Sequence, residues 1–193
     1  MQHLSSLRLK HVLPFFENQI QAELSSIDSA QWVDHVNTNT YEGSWRVFPL
    51  RTLRENKEAH PIIQSFQIET GRHWVDLPVL GSLLSIQAII KSIPVCFYSI
   101  RLMLLQPQGF INEHRDRGLN LENGCARLHV PLQTHNEVSF ISNGVELPME
   151  AGDLWYINAD QPHSVENKGS ISRINLVLDC EVNDWLTKKV SLC

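Results

Sequence analysis

The stretch NEHRDRGL, residues 112–119, sets His114 and Asp116 two residues apart between long apolar runs. If residues 112–117 are extended, both side chains project to one face, because a strand repeats every two residues. An imidazole and a carboxylate on one face can share a metal ion. A third ligand must come from elsewhere, and the best candidate is His163 in DQPHSVEN, just past the apolar run GDLWYI. Two histidines and one carboxylate that leave positions open form the facial triad of non-haem Fe(II) oxygenases. The plain alternative is a solvated turn, since the chain has nine histidines and a single His-x-Asp pair is weak on its own.

What strengthens the pair is the charge that follows. Arg173 interrupts the apolar run SISRINLVLDC ten residues after His163. A buried guanidinium needs an anion, and its planar fork suits a carboxylate. Asp179 or Glu181 could supply it internally, because Arg173, Asn175 and Asp179 share one face by strand parity. Arg127 and His129 share a face in CARLHVP, and Arg101 interrupts SIRLMLLQP. Three arginines in three central strands are more positive charge than a core accommodates. A dianionic ligand together with an amino-acid-like substrate accounts for them.

The elements that must position these groups are legible in outline. LPFFENQIQAELSSI has helical apolar spacing at Phe15, Phe16, Ile20, Leu24 and Ile27, and Pro14 suits its first turn. SWRVFPLRT reads as a short strand that Pro49 confines to a sheet edge or a strand end. PVLGSLLSIQAIIKSI reads as a second helix with Leu80, Leu83, Leu84, Ile86, Ile89 and Ile90 on its apolar side, weakened by Gly81. From residue 95 the pattern changes to short strands: CFYSIRLMLLQ closed by Pro107-Gln108-Gly109, CARLHVPLQT, a hairpin at Asn143-Gly144, GDLWYI and ISRINLVLD. VNDWLTKKV closes the chain as a short helix. The expectation is one domain over residues 1–193: a helix-containing part at about 1–94, a jelly-roll core at about 95–180 and a C-terminal helix at about 181–190. This is an α+β architecture with a mostly β core, a double-stranded β-helix of the cupin-like type, with the N-terminal helices packed outside.

Composition narrows the function classes. The length, 193 residues, suits one domain with a sizeable core. A formal net charge of −5 argues against a nucleic-acid footprint. No apolar run is long enough to span a bilayer, and the N-terminus lacks the apolar core and cleavage site of a signal peptide. A cytoplasmic protein is therefore expected, with its four cysteines reduced and structurally incidental. The sequence does not reveal an oligomeric state.

These motifs, taken together, resemble the aspartyl/asparaginyl β-hydroxylase family, which includes bacterial free-proline cis-hydroxylases as well as protein hydroxylases. The resemblance covers roughly residues 41–187. It rests on the His-x-Asp, the R-x-H strand at Arg127, GDLWY before PHSVEN, the R-x-x-L strand leading to Asp179, and YEGSWRVFPLR upstream. It implies a jelly roll that uses Fe(II), 2-oxoglutarate and dioxygen. His114, Asp116 and His163 are then the iron ligands and Arg173 grips the distal carboxylate of 2-oxoglutarate. Arg127 and His129 fall where the family binds the co-substrate's inner carboxylate or orients the substrate, and those two roles stay open. Arg101 matches an arginine that holds substrate carboxylate in the proline-hydroxylating branch. Trp45 and Trp155 are candidate substrate-pocket residues, as are Arg46, Arg51, Arg115 and Arg117 at its rim, although Trp155 also fits a core role. Asn167 and Glu113 are candidates to orient the iron histidines.

Asp116 stands where the animal protein-hydroxylating members have a small residue. Met103 stands where they have a serine that helps hold 2-oxoglutarate. Both differences lean toward the bacterial small-molecule branch. The implied activity is hydroxylation of an unactivated C–H bond in a free amino acid or small peptide, with Asp or Asn side chains of a protein as the alternative substrate. Two rival functions keep the same residues: a zinc hydrolase, for which Arg173 has no purpose, and a jelly-roll ligand sensor without chemistry, which has no reason to keep all four groups.

Overall fold

The computed structural model describes residues 5–9 and 13–191. Its first five strands are β1 (Ser6–Arg8), β2 (Val33–Asp34), β3 (Tyr41–Glu42), β4 (Trp45–Leu53) and β5 (Trp74–Asp76). The helices α1 (Glu17–Ser26), α2 (Pro61–Ser65) and α3 (Leu84–Ser92) fall among them. Strands β6 (Phe97–Leu105), β7 (Phe110–His114), β8 (Cys125–Gln133) and β9 (Val138–Ser142) follow. The chain continues through β10 (Val145–Glu146), β11 (Trp155–Ile157), β12 (His163–Asn167) and β13 (Arg173–Glu181) to α4 (Asp184–Ser191).

The strands form two antiparallel sheets. The larger runs β1-β11-β8-β13-β6-β4-β2, with β5 also on β4, and the smaller runs β10-β9-β12-β7-β3. This is the expected double-stranded β-helix on an α+β plan. Strands before residue 95 enter both sheets, so the N-terminal part is not only a helical cover.

The long strands are buried on both faces, and their alternation explains why. In β8, Ala126, Leu128, Val130 and Leu132 face the core that contains Ile20 and Leu24 of α1 and Ile86 and Ile89 of α3. Ile100 and Leu102 of β6 and Leu176, Leu178 and Cys180 of β13 join them. The opposite face of the large sheet meets the small sheet. There Trp45, Met103, Leu105, Val177 and Ile157 pack against Ile111, Phe140 and Val165. The intervening positions of that inner face hold Arg101, Arg127, His129, Arg173, Asn175 and Asp179, each under a tenth exposed. A polar set inside a two-layer core is costly unless it is paired or liganded.

Several local expectations shift. Pro49 lies inside the large sheet rather than at an edge. Its missing N–H falls between the pairings of β4 with β2 at 46–47 and with β5 at 51–53, beside a register shift between Pro49 and Arg51. The second helix is split: Pro78–Ser82 is a 3-10 turn, and α3 begins at Leu84 after Leu83 leaves helical geometry. Leu84 is exposed, not on the apolar side. Glu23 of α1 caps α3 instead, its carboxylate accepting from the Ser85 and Ile86 N–H groups at 2.6 and 3.2 Å. The Asn143-Gly144 hairpin forms, with both residues at positive φ (48° and 76°) as a type I′ turn requires. Cys96, Cys125 and Cys180 are free thiols; Cys193 lies outside the described residues. No helix among the described residues is long and apolar enough to cross a membrane.

Candidate active site

His114 ends β7 and His163 begins β12, and the two are cross-strand partners in the antiparallel ladder. That pairing brings their rings to 4.3 Å between centroids. Asp116 lies two residues beyond the end of β7, where its N–H donates to the Ala159 carbonyl at 2.8 Å. The carboxylate turns back so that His114 Nε2 is 4.0 Å from Oδ1 and His163 Nε2 is 3.8 Å from Oδ2. One ligand atom from each of the three residues lies within 4.8 Å of the others.

Backbone carbonyls two residues upstream, not Asn167 or Glu113, orient both rings. His114 Nδ1 donates to Asn112 O at 2.8 Å and His163 Nδ1 to Gln161 O at 3.0 Å. Each bond fixes the proton on Nδ1 and leaves Nε2 as a lone-pair donor. Burial, and then the nearby His114 charge, lower the His163 pKa to about 4, which keeps that lone pair free at neutral pH. Burial works to raise Asp116, but Arg127 and the two histidines outweigh it and hold the carboxylate ionised. Two imidazoles that present Nε2 and one carboxylate suit a divalent first-row metal.

The triad opens into a cavity of about 410 Å³. Arg101, Arg127, His129 and Arg173 line it, as do Trp45 and the exposed rim residues Arg115 and Arg117. Arg46, Arg51 and Trp155 do not. Trp155 sits on β11 in the inter-sheet core, the alternative that its sequence reading held open, and not in the substrate pocket. Asn167 is also remote from the histidines: its side-chain amide donates to Leu105 O, Gln106 O and Ile171 O.

The arginines differ sharply in their partners. Asp179 takes Arg127 through Nε (2.7 Å) and Nη2 (3.0 Å), and Arg101 through Nη1 (2.8 Å). Arg127 also donates from Nη1 to Asp116. Among the described residues Arg173 has no acid partner: the internal one that parity offered it, Asp179, is occupied. Its guanidinium lies 5.7 Å from the centroid of Phe140, and Nη2 is buried without a hydrogen-bond partner. Burial lowers its pKa only to about 10, so it stays charged. His129 takes a 2.8 Å bond from Asn175 Nδ2 at Nδ1, which leaves its buried Nε2–H without a partner. An unpaired cation and an unpaired donor inside one cavity fit a carboxylate ligand beside the metal position.

Sequence reasoning missed the outer wall. His35 stacks on Trp45 (3.9 Å, 16° between planes) and meets Phe66 edge-on at 5.0 Å. Both line the cavity from segments that carry no motif. Asn175 was already visible by parity with Arg173.

A family model described as aspartyl/asparaginyl beta-hydroxylase matches residues 16–182. Among solved structures, the chain is similar to an oxidoreductase of the 2OG-Fe(II) oxygenase family from Burkholderia pseudomallei. The TM-score is 0.57 at 12% identity, over 93% of this chain and 86% of that one. It is similar to a Pseudomonas putida prolyl-4-hydroxylase, with a TM-score of 0.51 at 13% identity over 94% and 95% of the two chains. It is also similar to HygX from Streptomyces hygroscopicus, solved with nickel and 2-oxoglutarate bound, with a TM-score of 0.52 at 11% identity over 93% and 84%. At these identities the structural likeness is one of fold, whereas the family model spans most of the chain. The chain therefore belongs to the aspartyl/asparaginyl β-hydroxylase family, whose members are 2-oxoglutarate-dependent hydroxylases.

Proposed function

We propose that this enzyme is an Fe(II)- and 2-oxoglutarate-dependent dioxygenase that hydroxylates an unactivated C–H bond of an amino acid, free or in a small peptide. The observation that carries the reading is the convergence of His114, Asp116 and His163 in one cavity with an unpaired, buried Arg173. His114, Asp116 and His163 hold the metal. Iron(II) held there would activate dioxygen, one atom of which would convert C–H to C–OH while the other would enter succinate as 2-oxoglutarate loses carbon dioxide.

The protein's own part is to bind and orient. The two Nδ1–H bonds to backbone carbonyls aim the imidazoles, and Arg127 fixes Asp116. Arg173 receives the distal carboxylate of 2-oxoglutarate, and His129 Nε2–H offers a second donor in the same cavity. The apolar residues between the sheets keep water from the inner end. Substrate enters past Arg115 and Arg117 and lies against Trp45, whereas Arg101, which also lines the cavity and which the sequence offered for the substrate carboxylate, is held by Asp179. Regioselectivity then depends on how one C–H bond is positioned. A zinc hydrolase gives Arg173 no role, and a ligand sensor gives the triad none.

The test is succinate formation from 2-oxoglutarate under air with Fe(II), joined to a mass-spectrometric screen for gain of one oxygen over free amino acids and short peptides. Turnover with a free amino acid or short peptide supports the reading. Turnover only on Asp or Asn of a folded protein would move the substrate class. The absence of succinate above the His114→Ala background, with or without substrate, would remove the oxygenase reading.

A further inference from the structure

Asp179 carries neither metal nor ligand, yet two arginines of the cavity converge on it. It lies on β13, which the sheet places between β8 and β6. Arg127 of β8 is its direct cross-strand partner. On the other side the register shifts between Leu178 and Cys180, so that Tyr98 and Ser99 of β6 together oppose Asp179. Such a bulge re-aims side chains, and Arg101 reaches both the Asp179 carboxylate (2.8 Å) and Ser99 Oγ (3.2 Å). Asp179 and Arg101 are each 1% exposed, so water does not compensate either charge.

This geometry has a consequence at the metal position. Arg127 offers three nitrogens: Nε and Nη2 are taken by Asp179, and Nη1 reaches Asp116. The fork is planar and rigid, so fixing two of its nitrogens fixes the third. We propose that Asp179 is a positioning residue of this active site: by clamping Arg127 it sets where the Asp116 carboxylate stands for the metal, and by occupying Arg101 and Arg127 it leaves Arg173 as the seat for an anion. The inference rests on the metal-site reading above. Position and charge are separable, because the cluster holds two acids, Asp116 and Asp179, and two arginines, Arg101 and Arg127.

The experiment is Mn(II) binding, followed by electron paramagnetic resonance, to protein without co-substrate. The set is wild type, Asp179→Asn, Arg101→Met, the double variant Arg101→Met/Asp179→Asn, and His114→Ala. Asp179→Asn is expected to weaken Mn(II) binding by about 10–100-fold, the usual cost of losing an outer partner of a metal ligand. Arg101→Met keeps the Asp179–Arg127 fork and is expected to bind Mn(II) at least as well as wild type. The double variant restores the charge sum but not the clamp, so its affinity stays low. It also guards against failure to fold, since it removes a buried ion pair as a unit instead of stranding one charge. A merely structural role would lower the unfolding temperature and leave the Mn(II) dissociation constant of the folded protein in place. Wild-type affinity in the double variant would overturn the positioning role. If wild type binds Mn(II) no better than His114→Ala, the metal-site reading falls and this inference with it. If wild type binds well and both Asp179 variants match it, the triad stands and this inference alone falls.

Discussion

Arg173 is the residue whose surroundings ask for something the chain does not contain. It is 4% exposed, it lies over the Phe140 ring, and Asp179, the acid on its own face of the strand, is held by two other arginines. A charged hydrogen bond contributes about 1.5–3 kcal/mol, so removing the fork should cost the co-substrate roughly 10- to 150-fold in binding. Arg173→Leu is expected to raise the KM for 2-oxoglutarate by about 100-fold. Arg173→Lys keeps the charge without the planar fork and should raise it by about 10-fold. The same Leu variant should unfold at the same temperature as wild type or higher in the absence of ligand, because it removes an unpaired buried charge. Steady-state kinetics and a thermal melt test both halves, and a large loss of stability would instead mean that Arg173 is a structural ion. His114, Asp116 and Arg173 stood out in the sequence through the His-x-Asp spacing and a charge inside an apolar run, and His163 through the segment that follows GDLWYI. His35 shows the limit of that logic. Parity is silent about a ring that tertiary packing brings in from a loop.

Turns carry as much of the site's precision as strands do. The turn between β6 and β7 and the turn between β12 and β13 are joined through Asn167. Its amide donates to Leu105 O, Gln106 O and Ile171 O, its Oδ1 accepts from Gly169 N, and its backbone N–H donates to Gly109 O. Gly109 itself leaves no room for a side chain: a Cβ there would lie 2.7 Å from Leu105 Cδ1 and 2.9 Å from Gln106 O. Asn167→Ala removes the donors of one buried and two half-buried carbonyls and is expected to destabilise the fold by about 2–4 kcal/mol. Asn167→Asp should cost more, because an ionised carboxylate only accepts and would face three carbonyl oxygens. Urea unfolding measures both, and Mn(II) affinity of the folded variants should be unchanged, since Asn167 touches neither His114 nor His163. A loss of metal affinity without loss of stability would restore the orienting role that the sequence suggests. The Pro107-Gln108-Gly109 turn, the Asn143-Gly144 hairpin and the long apolar strands could be read from local chemistry. The place of β4 could not. Pro49 argues for an edge when only its own N–H is considered, but β2 and β5, from distant parts of the chain, pair on either side of it.

At the scale of the whole molecule, the two-layer arrangement encloses histidines that must stay neutral for the chain to remain folded. His129 lies between the sheets, and burial, then Arg127 and Arg173, push its pKa well below 6.5. His35 is lowered to about 4, first by burial and then by Arg101. For such groups the unfolded chain takes up a proton near pH 6.5 while the native protein does not. Stability is therefore complete above that value and falls as the pH drops below it. Asp116 and Asp179 act in the same direction at lower pH: both are held below the usual carboxylate range, so their contribution is present above it and is lost only under more acid conditions. Between pH 6.5 and about 4.5 the histidines therefore dominate. In EDTA, to keep metal binding out of the balance, the urea midpoint is expected to be flat above pH 7 and to fall steadily towards pH 4.5. Each fully suppressed histidine contributes about 1.4 kcal/mol per pH unit to that slope. His129→Gln replaces the imidazole by an amide that does not titrate, so the slope should shrink by about that amount while the plateau moves independently. A variant whose stability follows the wild-type pH curve, merely displaced, would show that His129 protonates as readily in the native protein as in the unfolded chain.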